Sequence, residues 1–151
     1  MAKRNIRLKT DEILRKKCKE VKEITPSIIQ LLDDMAETMY DANGVGLAAP
    51  QVGVLKRIVV IDVGEGLIEM INPEIIEKEG SMVEYEACLS VPGESALVDR
   101  PKKVKAKALN RLGQEFTIVG TDLLARAICH ETDHLDGILY FDLALPDEGE
   151  E

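Results

Sequence analysis

The sequence predicts a single domain of the α+β class. Its 151 residues suffice for one hydrophobic core, and 45% hydrophobic with 31% charged residues is typical of globular proteins. Two long stretches repeat apolar residues at helical spacing, and short β-branched segments bounded by turn residues fill most of the chain between them. No repeat or linker divides the sequence. We therefore expect one domain over residues 1–145 and a short acidic tail over residues 146–151.

The helices are predicted from apolar spacing and from the residues at their ends. A short helical turn is expected at residues 11–15. The first long helix is expected within TPSIIQLLDDMAETMYDANG, residues 25–44, where Thr-Pro marks a start and Asn-Gly a stop. The second is expected within TDLLARAICHETDHLDG, residues 121–137, with Thr121 as its N-cap and Gly137 as its end.

The segments between the helices predict strands. GVGLAAPQVGV, residues 44–54, is too rich in glycine for a helix and too apolar for a solvated loop, so we expect a buried irregular segment or a strand edge. IEMINPEIIEKEG, residues 68–80, predicts two strands separated by an Asn-Pro break. Lysines alternate with small apolar residues over residues 103–108, which predicts one buried and one solvated face. Further strands are expected at residues 56–63, 81–93, 96–110 and 111–120.

The charge pattern argues against a nucleic-acid-binding protein. The chain has 19 Lys and Arg against 28 Asp and Glu, which leaves no general basic surface for a phosphate backbone. The basic N-terminus is followed by no apolar run, and no segment is long enough to span a bilayer, so we expect a cytoplasmic protein without a membrane partner. Three widely spaced cysteines in that compartment are expected to be free thiols or metal ligands.

Both histidines of the chain lie in ICHETDHLDG, residues 128–137. His130 and His134 are four residues apart, so on a helix their side chains project from faces about 40° apart and can bind one metal ion. Glu131, about 100° from His130, can lean over the open side of the metal and transfer protons, as in His-Glu-x-x-His hydrolases. The alternative is two surface histidines on an ordinary helix. The apolar neighbours, which indicate a largely buried helix, disfavour it.

A catalytic metal usually has three protein ligands and one open position, so a third ligand must come from elsewhere in the chain. Cys88 has a modest lead because it stands at an expected strand end just before a turn. Cys129 is adjacent to His130 but points about 100° away along the helix, which favours a role as a small core residue. Cys18, in a charged stretch, and a carboxylate are the other candidates.

Three motifs complete the pattern: GVGLAAPQ at residues 44–51, EACLS at residues 86–90 and HETDH at residues 130–134. In this order and over nearly the whole chain, they resemble the peptide deformylase family, whose motifs are Gly-x-Gly-Leu-Ala-Ala-x-Gln, Glu-Gly-Cys-Leu-Ser and His-Glu-x-Asp-His. The resemblance implies a central metal-bearing helix enclosed by antiparallel β-sheets. Two positions depart from the family pattern: Ala87 replaces a glycine, and Cys129 stands where many members have Gln.

The resemblance implies a hydrolase that removes the N-formyl group from formyl-methionine at the N-terminus of nascent polypeptides. Cys88, His130 and His134 would hold one divalent metal ion, iron(II) in the cell, with zinc, nickel or cobalt as metals that a purified sample can carry. Metal-bound hydroxide would attack the formyl carbon, with Glu131 as general base and then general acid. Any ribosome contact is expected to be transient and made without a basic C-terminal docking helix.

Other residues acquire expected roles from the same resemblance. The side chain of Gln51 and the backbone N–H of Leu89 would stabilise the oxyanion together with the metal, and Gly46 would align the peptide substrate. Glu86 and Arg100 match positions that form an ion pair behind the metal-bearing strand. The apolar residues considered for a methionine pocket, each equally suited to the core, are Val45, Leu97 and Ile128.

Two other functions are consistent with the histidine motif. A metallopeptidase that cleaves internal amide bonds is disfavoured by the cysteine ligand and by the Gly-Leu-Ala-Ala-x-Gln segment. A structural metal site without catalysis would need four protein ligands, and only three are evident.

Overall fold

The computed structural model describes residues 2–146, and within them two helices and seven strands form an α+β fold. This confirms the predicted fold class. The helices are α1, Pro26–Asp41, and α2, Leu123–Leu135. The strands are β1 (Gly46–Ala48), β2 (Ile58–Ile61), β3 (Ile68–Glu79), β4 (Met82–Cys88), β5 (Val91–Arg100), β6 (Lys103–Leu109) and β7 (Glu115–Thr121). Short 3-10 helices occur at Glu12–Arg15, Ala49–Val52 and Tyr140–Leu143.

The strands form two antiparallel sheets. The larger has five strands in the order β1-β2-β3-β6-β7, and the smaller is the β4–β5 hairpin. Strand β2 is buried on both faces, which explains its uninterrupted run of apolar residues. Val59 and Ile61 pack in the core cluster that contains α2, whereas Ile58 and Val60 pack in the cluster that contains α1. The large sheet therefore lies between the two helices, and β4–β5 presents its end to α2.

The first helix and the short turn before it follow the sequence prediction. The side chain of Asp11 accepts a hydrogen bond from the Ile13 backbone N at 3.0 Å and so caps the 3-10 helix. The Thr25 hydroxyl caps α1 by accepting from the Ile28 backbone N at 3.4 Å. The helix ends at Asp41, just before Asn43, which adopts a positive φ of 57°.

The predicted N-cap of the second helix is wrong. Thr121 is the last residue of β7 and pairs with Lys103 of β6, so its backbone stays extended in the ladder. Asp122 makes the turn instead, with φ 54°, and its side chain makes no capping hydrogen bond. The helix ends at Leu135, and Gly137 follows with φ 75°, as its role as the end signal requires.

The expected break at Asn-Pro is a bulge within a continuous strand. Asn72 has φ 54°, and the β3–β6 register shifts between Ile71 and Glu74, yet β3 continues to Glu79. The Asn72 side chain bonds both backbone polar groups of Val21, at 2.8 and 2.9 Å, which holds the bulge in place.

Other parts of the sequence prediction correspond closely to the structure. The segment at residues 44–54 contains both β1 and a buried 3-10 helix, and the small apolar residues of β6 are buried while the lysines face outwards. No helix within residues 2–146 is long and apolar enough to cross a membrane. Apart from Pro146, the expected acidic tail lies outside the described residues.

Candidate metal centre and active site

Helix α2 and the end of β4 bring together one thiol and two imidazoles. One ligand atom each from Cys88, His130 and His134 lies within 4.8 Å of the others, and all three residues are buried. The Cys88 Sγ is 3.3 Å from His134 Nε2. This arrangement contradicts the surface-histidine alternative, because both histidines face the interior.

The three side chains fit a divalent transition metal. His130 Nδ1 donates to Glu86 Oε2 at 2.6 Å, which leaves Nε2 to coordinate and fixes the ring orientation. Burial lowers the pKa of His134 well below its usual value, and this favours the neutral imidazole that a metal ligand must be. A thiolate with two imidazoles is a donor set that suits iron(II) and zinc.

The other two cysteines lie outside this group. Cys129 is 4% exposed and packs in the core between α2 and the large sheet, as its position along the helix predicts. Cys18 belongs to the same core cluster, and its backbone N donates to the Leu135 carbonyl at 2.8 Å. Ala87 has no positive φ, so the alanine at this position fits the backbone without strain.

Glu86 is the centre of a buried charge network behind the metal ligands. Arg100 donates to both carboxylate oxygens, at 3.0 and 2.6 Å, and this confirms the predicted ion pair. Arg126 donates to Oε1 at 2.9 Å, and His130 to Oε2. Burial favours the protonated acid, but the hydrogen bonds and charges of His130 and Arg100 outweigh it and lower the pKa of Glu86 to about 2.

Arg126 is a buried residue of the site that no sequence motif predicted. It lies one helical turn before His130, and its guanidinium also donates to the backbone carbonyls of Val98 and Met82, at 3.1 and 2.6 Å. The sequence does indicate a buried charge here, because Arg126 is the one charged residue in the apolar run LLARAIC. A charge at such a position needs buried partners.

Glu131 lies beside the ligand group and is 4% exposed. Its Oε1 is buried and has no hydrogen-bond partner within residues 2–146. Burial raises the pKa of Glu131 to about 7. The charges of His130 and Arg100 act to lower this pKa, and the negative charges of Glu86 and Asp133 act to raise it. This carboxyl is therefore able to exchange a proton near neutral pH.

Gly46 provides the space for that carboxylate. A Cβ atom at Gly46 would lie 2.5 Å from Glu131 Oε2, well inside van der Waals contact. Strand β1 therefore passes the glutamate at a distance that a side chain would prevent. The family resemblance predicts that Gly46 aligns the substrate, and the structure adds this second reason for a glycine.

Gln51 and Leu89 both lie beside Cys88. The Gln51 side chain accepts from the Ala48 backbone N at 2.9 Å and donates from Nε2 to Ser90 Oγ at 3.0 Å. The same Nε2 is 3.5 Å from Cys88 Sγ, so its N–H groups point towards the site. Leu89 follows Cys88 in the turn between β4 and β5, and its side chain covers Gly44.

A cavity of about 450 Å³ opens next to these residues. Glu131, His130, Gln51 and Cys88 contribute to its polar part. The apolar lining includes Val45, Leu89, Val91, Leu123 and Ala127.

Of the three candidates for a methionine pocket, Val45 alone lines this cavity. Ile128 is fully buried in the core against the large sheet, and Leu97 lies on β5 away from the cavity lining. The sequence shows that all three residues are apolar, but it does not show which face of each element meets the cavity.

Comparison with known proteins identifies the relationship. The family model described as polypeptide deformylase matches residues 3–149. The chain belongs to this family. It is 63% identical over 142 residues to a peptide deformylase of Acetivibrio thermocellus, covering 94% of this chain and 84% of that protein.

Solved deformylase structures share the fold. The peptide deformylase of Thermotoga maritima superposes with a TM-score of 0.94 at 39% identity, covering 97% of this chain and all (100%) of that chain. The enzyme of Synechococcus elongatus, solved in complex with actinonin, gives a TM-score of 0.91 at 39% identity and covers 93% and 78% of the two chains. The resemblance predicted from the three motifs is confirmed.

Proposed function

We propose that this protein is a metal-dependent hydrolase that removes the N-formyl group from formyl-methionine at the N-terminus of nascent polypeptides. The observation that carries the proposal is the buried group of Cys88, His130 and His134, with Glu131 beside it at the edge of a largely apolar cavity. Membership of the polypeptide deformylase family supports the same reaction. Residues 1–145 act as one catalytic domain in the cytoplasm.

The metal held by Cys88, His130 and His134 supplies, when bound, a Lewis acid that makes water nucleophilic near neutral pH. Glu131 takes the proton of the attacking water and then delivers it to the leaving amine. Its burial and its pKa of about 7 support both tasks, since such a carboxyl accepts and returns a proton at little cost. Iron(II) is the metal in the cell, and the donor set also accepts zinc, nickel or cobalt.

The oxyanion that develops on the formyl oxygen is stabilised by N–H donors of the chain. Gln51 Nε2 supplies one, and its amide is fixed by Ala48 and Ser90 before substrate binds. The Leu89 backbone N–H supplies another. Gly46 aligns the peptide backbone along β1, and the apolar side of the cavity takes the methionine side chain.

Formate release tests the proposal. The protein is purified without air, loaded with iron(II), and given formyl-Met-Ala, acetyl-Met-Ala or unformylated Met-Ala. We expect release of formate from the first peptide, little acetate from the second, and no cleavage of the third. A fully metal-loaded protein that releases no formate would refute the proposal, and cleavage of Met-Ala would favour a peptidase.

Two variants link the activity to the site. Glu131→Gln should reduce formate release by about 10²- to 10⁴-fold while metal content stays equal to that of wild type, since it removes the proton carrier but no ligand. Glu84→Gln makes the same chemical change on the exposed part of β4 and should leave the rate unchanged. Equal activity in both variants would exclude Glu131 as the general base.

A further inference from the structure

One aromatic side chain outside α2 and the two sheets packs against the residues of the ligand group. Tyr140 begins the 3-10 helix that follows α2, and it is 2% exposed. Its ring is stacked on the His130 imidazole, with 6.0 Å between the ring centroids and 27° between the ring planes. The same residue packs with Cys88 in a small apolar cluster. Tyr140 therefore contacts one ligand carried by α2 and another carried by β4.

Tyr140 lies outside the cavity that a substrate would enter. Cys88 and His130 both belong to the cavity lining, whereas Tyr140 does not. The two ligands therefore meet the cavity with one part of their surface and Tyr140 with another. A ring in this position acts on the ligands and not on the substrate.

The segment that carries Tyr140 is anchored to the rest of the domain. Arg15 Nη2, from the 3-10 helix that precedes α1, donates to Asp142 Oδ1 at 3.0 Å. The Leu145 backbone N donates to the carbonyl of Leu97 on β5 at 2.8 Å. These contacts on either side of the chain keep the Tyr140 ring against the two ligands.

A ring held in this way restricts the motion of the imidazole. His130 is already fixed at one edge, because its Nδ1 donates to Glu86 Oε2 at 2.6 Å. Tyr140 adds a contact across the plane of the same ring. A metal ion leaves only after its ligands have swung away from it, and His130 cannot swing without losing both contacts. Groups that orient metal ligands typically change metal affinity by about 10- to 100-fold when they are replaced.

We propose that Tyr140 is a positioning residue for the metal centre, whose ring braces His130, covers Cys88 and slows the release of the metal ion. The inference deepens the proposed function and rests on it, because it takes Cys88, His130 and His134 as the ligands. Both contacts of Tyr140 are made by its ring, so a phenylalanine should replace it and a leucine should not.

The rate of zinc release tests the inference without any measurement of activity. Zinc-loaded protein is mixed with an excess of a chromogenic chelator, without air and well below its Tm. Tyr140→Leu should release zinc about 10- to 100-fold faster than wild type, since changes in affinity appear mainly in the dissociation rate. Tyr140→Phe should release it close to the wild-type rate. Tyr140→Met provides the same measurement if the leucine variant does not fold.

Two control variants separate the ring contact from a general loosening of the protein. Phe141→Leu alters the neighbouring ring of the same 3-10 helix, which lies over the Arg15 guanidinium. Tyr40→Leu makes the same chemical change as Tyr140→Leu on the exposed side of α1, where the Tyr40 hydroxyl donates to Asp62. Both controls should release zinc close to the wild-type rate.

Cobalt(II) in place of zinc provides a spectroscopic readout of the ligands themselves. Cobalt bound to a thiolate has a charge-transfer band in the near ultraviolet, and its visible bands report the geometry of the ligands. Tyr140→Leu should keep the thiolate band, because Cys88 is still present, but its visible bands should differ from those of wild type. Tyr140→Phe should reproduce the wild-type spectrum.

The possible results have different consequences. Zinc release from folded Tyr140→Leu at the wild-type rate would overturn the inference, and so would an equal acceleration in Phe141→Leu or Tyr40→Leu, or visible cobalt bands unchanged in Tyr140→Leu. A wild-type cobalt form without the thiolate band would contradict Cys88 as a ligand, on which both proposals rest. Wild-type protein that shows the expected zinc release but yields no formate from formyl-Met-Ala when loaded with iron(II) would overturn the proposed function alone.

Discussion

Replacing Glu131 by Gln should stabilise the metal-free protein at the same time as it abolishes activity. The reason is that the Glu131 carboxyl is buried and its Oε1 has no partner within residues 2–146, so the folded state disfavours its charged form. Gln has nearly the same shape and carries no charge. The variant should therefore avoid the loss of unfolding free energy that wild type shows at any pH at which Glu131 is ionised in the unfolded chain.

The size of the effect follows from the pKa of Glu131, which rises from 4.5 to about 7 on folding. Between these values the folded state holds a proton that the unfolded state has lost, so wild-type stability falls as the pH rises through this window. A tenfold change in proton affinity corresponds to about 1.4 kcal/mol, so the loss approaches about 3 kcal/mol at pH 8 and stays below about 1 kcal/mol at pH 5. For a domain of this size, 3 kcal/mol corresponds to about 6–12 °C in Tm.

The assay is thermal unfolding of chelator-treated protein under argon at pH 5 and pH 8. The difference in Tm between Glu131→Gln and wild type should be small at pH 5 and large and positive at pH 8. Glu84→Gln, on the exposed part of β4, should alter the unfolding free energy by less than about 0.5 kcal/mol at both pH values. A Glu131→Gln variant whose advantage is the same at both pH values, or absent at pH 8, would show that the buried carboxyl is not destabilising.

Three further predictions concern the surroundings of the site. Arg100→Ala should lower the unfolding free energy by about 3 kcal/mol in urea titrations, because Glu86 stays buried with fewer partners. The control Arg7→Ala, at an exposed ion pair, should lower the unfolding free energy by less than about 1 kcal/mol. Similar losses in the two variants would contradict a stabilising buried network. Gly46→Ala should reduce kcat by about 10- to 100-fold with metal content intact, since a Cβ 2.5 Å from Glu131 Oε2 displaces that carboxylate. An unchanged kcat would show that the position of the carboxylate is not critical. Folding lowers the pKa of Glu86 from 4.5 to about 2, so its ionised carboxylate contributes fully to the unfolding free energy above pH 4.5 and loses that contribution as the pH falls towards 2. In acid titrations, the unfolding free energy of Glu86→Gln should therefore change less than that of wild type between pH 4.5 and pH 2.

The sequence predicted much of the site because its chemistry depends on local spacing. The four-residue separation of His130 and His134 implies one helical face, and the helix places both imidazoles beside Cys88. The motif containing Gln51 lies more than thirty residues from Cys88 in sequence, and no spacing rule joins the two. The family resemblance supplied that connection, and the structure brings Gln51 Nε2 to 3.5 Å from Cys88 Sγ.

The mistaken expectations have a common physical origin in tertiary contacts. Thr121 has the side chain of a good N-cap, but pairing with β6 keeps it in the strand and Asp122 turns the chain instead. The Asn-Pro pair at Asn72 would end an isolated strand. In the protein, two hydrogen bonds to Val21 stabilise the bulge and β3 continues. Local propensity could not include partners that lie far away along the chain.

Glu86 and Glu131 show how one small region supports two opposite tasks for the same functional group. Both carboxyls are buried near His130, yet burial is outweighed only at Glu86, where two arginines and an imidazole donate hydrogen bonds. With a pKa of about 2, Glu86 is charged throughout the neutral and mildly acidic range, and its carboxylate joins α2 to the β4–β5 hairpin. Within residues 2–146 no such donor reaches Glu131 Oε1, and the pKa of about 7 fits the proton transfer that we propose for this residue. The partners of each carboxylate, rather than its depth, determine which task it performs.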